Sequence, residues 1–506
     1  MNHLSNLSSS RSLKLLGTGL LTSMLVACNS SDSSSSVGYV KFYHASSTAP
    51  EIIFTVDENL ETSDDDEIEV SYNAIGYGES LSYAEYTSGD YFYELAWQDD
   101  DSSERADLAI ISQGDLSIAD NMMQFVVIDG DVNAPQVNVY QYEMIEDDDD
   151  DLYSLFNLRV INTQADTLDV YYSKADETFN EAQLFDSVDY QMLASNQKLE
   201  QGSYVFYLTN AATQEVVYQS EEVTFSYSTQ YVLAIRANPN NPQSPYLIDR
   251  IANTSYQTLP DVNAQAQVSL YNAIPTWPSY LPDYQGSLDV YLDIESGEPL
   301  ITNLSIGELS EVKSLDNGDF SLAVNASGTD ISLLKNHLLS LPENSLKTVF
   351  LYADEAYVDE DGDGDIDEDG DGQVDEVELN VHTLVVDQST LTGTYSHDIH
   401  FVNLVDDDTY SSVQVYFVRA NETISNAQNR LSAGFATTSA INLNNNTYDV
   451  FLVAQDNSSD VILANFILTL DETSQNQFLI IEQDDTSATG FTASMVNQQH
   501  STNVDE

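Results

Sequence analysis

Positive charge is nearly missing from this chain. Fourteen lysines and arginines stand against 84 aspartates and glutamates in 506 residues, a formal net charge of −70. That balance excludes nucleic acid as a partner, because neutralising phosphates requires a basic surface. Cysteine is missing too, apart from Cys28, so no internal disulfide and no multi-cysteine metal site can form. Helical periodicity is scarce, and residues 331–341 form the one stretch that reads as a short helix. There is no nucleophile elbow, phosphate loop, zinc motif or carboxylate pair with supporting context. Scattered serines, histidines and aspartates do not amount to a triad, which is defined by geometry.

Hydrophobic residues make up 42% of the chain and aromatics 10%, too many for a disordered acidic tail. A secreted chain this long can fold on its cores alone, without disulfides. The N-terminus carries Arg11 and Lys14, then a mostly apolar stretch from Leu15 to Ala27, too short for a permanent membrane span. Leu25-Val26-Ala27-Cys28 follows, then the tether Asn29 to Ser36, which cannot bury apolar surface. This order of residues resembles a bacterial lipoprotein signal with its lipobox. The resemblance implies cleavage before Cys28, a diacylglyceryl group on its thiol, and attachment to a membrane through lipid. Asn29 stands where an aspartate would signal inner-membrane retention, which implies the outer membrane, with the protein facing the periplasm or the cell surface. An uncleaved anchor or a plain secretory signal is the alternative. Removal of residues 1–27 takes two bases and no acid, leaving 12 bases against 84 acids, or −72. Self-repulsion on that scale calls for screening by salt or divalent cations.

One β unit recurs four times. Its opening strand reads Val40-Lys41-Phe42-Tyr43-His44, Leu158-Arg159-Val160-Ile161-Asn162, Val268-Ser269-Leu270-Tyr271-Asn272 and Ile399-His400-Phe401-Val402-Asn403. Each ends in a polar marker, His44, Asn162, Asn272 or Asn403, at intervals of 118, 110 and 131 residues. A second strand with alternating aliphatics follows, as in Leu168-Asp169-Val170-Tyr171-Tyr172. Later come a turn signal with an aromatic-rich strand (Gly89-Asp90-Tyr91, Gly202-Ser203-Tyr204, Gly318-Asp319-Phe320, Asn446-Thr447-Tyr448) and a buried-looking run near each end, such as Gln124 to Ile128. Many short strands separated by turns predict an all-β chain: a tandem array of four immunoglobulin-like β-sandwich domains.

In the first copy, Tyr43-His44-Ala45-Ser46-Ser47-Thr48-Ala49-Pro50 followed by Ile52-Ile53-Phe54-Thr55-Val56 resembles the start of the DUF4397 domain, with Ser47 and Thr48 in place of the usual Pro-Asp. The other copies keep only the strand pattern and the polar marker. That family of secreted or surface β domains carries no agreed activity, so the resemblance implies fold and location alone. The expected organisation is a signal peptide (1–27), a tether (28–37) and sandwiches at 38–146, 153–254, 264–388 and 397–496. The acidic run 146–151 separates copies one and two as a self-repelling, extended spacer would.

Residues 359–378 form an insert in the third copy, with 12 acids among 20 residues and no base. Asp367, Asp369, Asp371, Gln373, Asp375 and Glu378 fall at positions 1, 3, 5, 7, 9 and 12 of the twelve-residue EF-hand loop, with Gly372 at the sharp turn and Val374 as the apolar anchor. Calcium takes six to eight hard oxygens, and alternate aspartates in a tight loop converge on one point. A solvated acidic spacer is the alternative. The upstream octad, with Asp359, Asp361, Asp363 and Asp365, resembles the shared-ion arrangement of thrombospondin type 3 repeats and is a candidate second site. The flanks alternate as strands, so the expected Ca2+ is structural, without the helices that a sensor EF-hand moves.

His397 and His400 are an odd number of residues apart on a strand, so their rings should point to opposite faces rather than share a metal. The polar markers fit turn hydrogen bonds better than catalysis. The 31 tyrosines fit sheet faces, with a carbohydrate platform as the other reading. Together these features point to a non-catalytic, lipid-anchored envelope protein with a structural or adhesive role and an unknown protein or glycan ligand. The alternatives are a carbohydrate-processing or other hydrolase with an inter-domain site, and a periplasm-facing assembly factor.

Overall fold

The alternation in each copy builds two sheets, and the topology repeats four times. The computed structural model describes residues 36–60, 70–97, 108–145, 154–211, 213–276, 281–293, 297–357, 377–389, 391, 393–406, 410–456, 459–484 and 486–498. Copy one contains β1 (Val37–His44), β2 (Ile52–Asp57), β3 (Val70–Ile75), β4 (Ala84–Thr87), β5 (Gly89–Trp97), β6 (Ala109–Ile118), β7 (Met122–Asp129) and β8 (Gln136–Glu143). One sheet runs β4-β1-β7-β8 and the other β3-β2-β5-β6. The counterparts of β1 are Leu155–Asn162, Ala266–Asn272 and Ser396–Asn403, and those of β7 are Gln230–Ala237, Leu346–Tyr357 and Gln477–Gln483. In every copy these two strands pair in parallel, while the other pairings are antiparallel. Each copy closes its two sheets on its own core, centred on Phe42, Phe54 and Leu95 in copy one and Phe156, Phe206 and Phe225 in copy two. Copies three and four do the same around Leu270, Val290 and Val324, and around Phe401, Phe417 and Leu452. The chain is therefore all-β, built of immunoglobulin-like sandwiches. Among the described residues the helical pieces are two short 3₁₀ turns, and no helix is long and apolar enough to cross a membrane.

The polar markers do one job in all four copies. His44 Nδ1 accepts from Ser46 N at 3.3 Å, Asn162 Oδ1 from Gln164 N at 2.8 Å, Asn272 Oδ1 from Ile274 N at 3.1 Å and Asn403 Oδ1 from Val405 N at 3.0 Å. The other end of each side chain donates to a carbonyl: His44 to Pro50, Asn162 to Val188, Asn272 to Leu304 and Asn403 to Ala433. Each marker thus folds the strand end into a turn and satisfies a buried backbone acceptor on the way. The aromatic-rich strand is fixed in a similar manner. The hydroxyls of Tyr91, Tyr204 and Tyr448 donate to the carbonyls of Thr87, Glu200 and Asn444, each four residues upstream, in the manner of a tyrosine corner. Phe320 takes this place in copy three and has no hydroxyl to do so.

Residues 331–341 do not form the expected helix; Ser332–Leu341 is a strand paired with Gly318–Ala326. Register shifts interrupt that ladder, and Asn336 adopts a left-handed φ of 53°. A shift of this kind moves the apolar phase by one residue. Leu333 and Leu334 before it, and Leu339 and Leu341 after it, all reach the core, which imitates helical spacing.

The sandwiches are not separate beads. The outer face of the β4-β1-β7-β8 sheet packs on the equivalent face of copy two: Tyr43, Phe125 and Val127 meet Ile161, Val232, Ala234 and Ile251 in one buried cluster. Copies three and four repeat the arrangement with Tyr271 and Phe350 against Val402, Phe478 and Ile480. The same positions of each copy meet, so each contact is nearly self-complementary. The run 146–151, expected to separate copies one and two as an extended spacer, lies outside the described residues, but the sheets on either side of it touch. Between the first two copies, Arg236 Nε donates to Asp249 Oδ2 at 2.6 Å and Tyr43 donates to the same oxygen at 2.6 Å. Tyr77 lies 4.6 Å under the guanidinium, which approaches Gly78 so closely that a Cβ there would sit 2.6 Å from Nη2. Lys41 donates to the carbonyls of Ala252 and Asn253 across the interface, and burial pushes its pKa down to about 7. In the second pair, burial pushes Glu482, hydrogen-bonded by Tyr271 at 3.3 Å, up to about 7.

Two predictions follow from this packing. Asp249→Asn leaves the buried Arg236 charge without its counterion and should cost about 3–5 kcal/mol in denaturant unfolding; a loss below 1 kcal/mol, the usual range for a surface pair, would contradict it. His44 is fully buried, and burial pushes its pKa down to about 4. The unfolded chain protonates this histidine near 6.5 while the folded chain does not, so stability should fall as pH drops through that window, by on the order of 3 kcal/mol. His44→Asn, which installs the residue of the other three copies, should fold normally and remove this component of the acid sensitivity.

Candidate functional site

Two places on the chain are candidates for function, and one of them lies within the described residues. It is a cleft of about 420 Å³ between copies one and four. From copy one it takes the turn after the polar marker, including Pro50 and Glu51, together with Tyr77 and Trp97 at the end of β5. From copy four it takes Ser396 and Asp398 on the opening strand and Asn442 and Asn444 on the neighbouring strand Thr437–Asn444. Alternation explains this placement. His397, Ile399 and Phe401 point into the core of copy four, so Asp398 between them points out. Asn442 Nδ2 donates to Asp398 Oδ1 at 2.9 Å across the strand pair. Asn476 holds the same strand, accepting from Asp398 N at 2.9 Å and donating to Ser389 O and Leu391 O. On the far wall, Trp97 stacks on Tyr395 with ring centroids 4.8 Å apart and planes at 17°. Thr394 N donates to Thr48 O at 3.2 Å beside them.

The second place is the acidic insert. Asp359, Asp361, Asp363, Asp365, Asp367, Asp369, Asp371, Gln373 and Asp375 lie outside the described residues, as does Cys28. The flanks are described. Leu346–Tyr357 and Val377–Asp387 form an antiparallel hairpin in register from Lys347 opposite Asp387 to Tyr357 opposite Val377, with Glu378 opposite Ala356. The insert therefore joins two strands of one hairpin. Among the described residues, no group of three or more His, Cys, Asp or Glu is placed to hold a metal. His397 and His400 are on opposite faces: His397 is buried and pairs with Asn445 at 2.8 Å, while His400 packs against Phe478.

Reading along the sequence misses the cleft. Trp97, Asp398 and Asn442 carry no motif, Trp97 lies about 300 residues before the other two in the chain, and what unites them is how copies one and four meet. The stretch that supplies Tyr395 reads as a boundary between copies.

No family model matches the chain, and no curated protein does. Among solved structures, the Bacillus anthracis TIE protein aligns over 90% of this chain and 76% of its own, at 8% identity and a TM-score of 0.14. A multi-modular glycogen-degrading pneumococcal virulence factor, SpuA, aligns over 61% of this chain and 37% of its own, at 11% identity and a TM-score of 0.13. The major pilin subunit of Bacillus cereus, BcpA, aligns over 65% of this chain and 98% of its own, at 10% identity and a TM-score of 0.13. Scores of this size describe no shared overall arrangement.

Calcium at the insert is testable in the whole chain. Copy three alone would bare the apolar face that it buries against copy four, so the isolated copy is the wrong sample. Calorimetric titration of calcium into the whole chain should give saturable heat that is lost in the combined Asp367→Ala, Asp371→Ala variant. Calcium should also raise the unfolding midpoint by mass action. Absence of heat at about millimolar calcium, the weakest class of such loops, would dismiss the site.

Proposed function

We propose that this chain is a non-catalytic, lipid-anchored protein of the cell envelope, whose four sandwiches form a rigid scaffold for binding a ligand. The observation that carries the reading is the face-to-face burial within the two domain pairs. A flexible string of modules would leave those faces wet, whereas here the copies are held in fixed relation within each pair, and copies one and four meet through Trp97–Tyr395 and Thr394–Thr48 beside the cleft. The lipobox-like run ending at Cys28 supplies the tether, and the acidic insert supplies a calcium site that holds its hairpin loop together against its own charge. In this reading Cys28 carries the lipid, and Asp367, Asp369, Asp371, Gln373, Asp375 and Glu378 carry the ion. The placement is the outer membrane.

One feature favours a second reading. Glu51 and Asp398 face the cleft from different copies, as the carboxylates of an inter-domain hydrolase would. Two experiments separate the readings. Mass spectrometry of the mature N-terminus should find acylated Cys28, and an unmodified residue there ends the lipid-anchored account. A pull-down with the whole chain from calcium-containing envelope extract should recover one dominant, saturable partner or glycan without turnover. Release of cleaved product would favour the hydrolase, and recovery only of outer-membrane assembly machinery, with all copies protected when intact cells are shaved with protease, would favour a periplasmic assembly factor.

A further inference from the structure

We propose that the cleft between copies one and four binds a neutral saccharide, with the indole of Trp97 as its stacking platform. The inference rests on the binding-scaffold reading and names the class of ligand for it. Trp97 is half-buried at the end of β5, and one face of its ring is covered by Tyr395 from the stretch joining copies three and four. An aromatic ring stacked on one side is held at a fixed angle and offers its other side to whatever enters. The opposite wall is polar and also pre-set: Asn442 is tied to Asp398 at 2.9 Å, and Asn476 ties the Asp398 backbone at 2.9 Å. A flat apolar ring facing amides and a carboxylate suits a ligand that is itself two-sided. A pyranose has such a shape, with a C–H face for the indole and a rim of hydroxyls for Asn442, Asn444 and Asp398. The volume of about 420 Å³ falls within the range of small-ligand clefts, which pair an apolar surface with a few fixed polar groups.

Charge selects within that class. Glu51 and Asp398 line the cleft, and the whole chain carries −70. Uronate or sulfated saccharides would be repelled both locally and over the approach path, so the ligand is uncharged. Tyr395 acts as a positioning residue: it touches Trp97 rather than the sugar, and its hydroxyl reaches Asn133 Oδ1 at 3.4 Å on copy one. The platform therefore exists only when copies one and four are docked.

The chain has two tryptophans, Trp97 and Trp277, so in a Trp277→Phe background Trp97 is the only indole emitter. Short α-1,4- and β-1,4-linked glucose oligomers and N-acetylglucosamine oligomers are the probes, with polygalacturonate as the anionic control. At least one neutral oligomer should shift Trp97 emission saturably below about 10 mM. By calorimetry, Trp97→Ala should weaken that binding at least tenfold, about 1.4 kcal/mol, Trp97→Tyr should recover part of it, and Asn442→Ala, at an exposed position, should weaken it with unchanged circular dichroism. Tyr395→Ala should broaden the Trp97 emission even without sugar. Failure of every neutral oligomer to shift the emission, or equal binding by polygalacturonate, overturns the inference while leaving a protein-binding scaffold in place. Release of reducing ends from a bound oligomer would instead keep the saccharide and end the non-catalytic reading.

Discussion

Everything in this molecule depends on one sheet of each copy being covered on both faces. The sheet that contains the parallel strand pair packs inward on its own sandwich and outward on the matching sheet of a neighbour. Parallel pairs are found where both faces are dry, and their strands read as nearly continuous buried runs rather than alternating ones. That is the pattern of Met122–Asp129, Gln230–Ala237 and Ala266–Asn272, which are buried at nearly every position. A single copy cut free would expose a band of tyrosine, phenylalanine and aliphatic side chains, and two copies in contact remove it from water at once.

The same contact explains where the few positive charges go. Lys41, Arg159 and Arg236 are all buried at the face between copies one and two, although the chain has only 14 bases. Arg159 lies over the Tyr142 ring at 4.5 Å and Arg236 over Tyr77 at 4.6 Å, each reaching from copy two to an aromatic of copy one. Aromatic faces and carbonyl oxygens stabilise these cations where water cannot. The buried acids Asp57, Glu94, Asp129, Asp249 and Asp261 offset these bases, so the exposed surface keeps essentially the acid excess of the composition. A surface of that kind repels anions.

Much of the fold can be read along the chain because its signals are local. The polar marker at the end of each opening strand is a turn device whose acceptor is two residues away, so His44, Asn162, Asn272 and Asn403 betray the repeat without any knowledge of the tertiary structure. The glycine or asparagine turn before Tyr91, Tyr204 and Tyr448 works in the same way, since each hydroxyl finds its carbonyl four residues back. The misread stretch at 331–341 shows the limit. A shift in strand register at Asn336 changes which face each leucine takes, and a pattern rule that assumes unbroken pairing takes the result for a helix.

By itself, then, the sequence determined the sheet-forming units, their number and the turns that bound them, because each rests on contacts between residues close in the chain or repeated in every copy. Only the tertiary structure decided that the copies dock in pairs and that Trp97, Tyr395, Asp398 and Asn442 share a cleft. Those contacts join positions hundreds of residues apart, and no local pattern encodes which outward face of one sandwich will meet another.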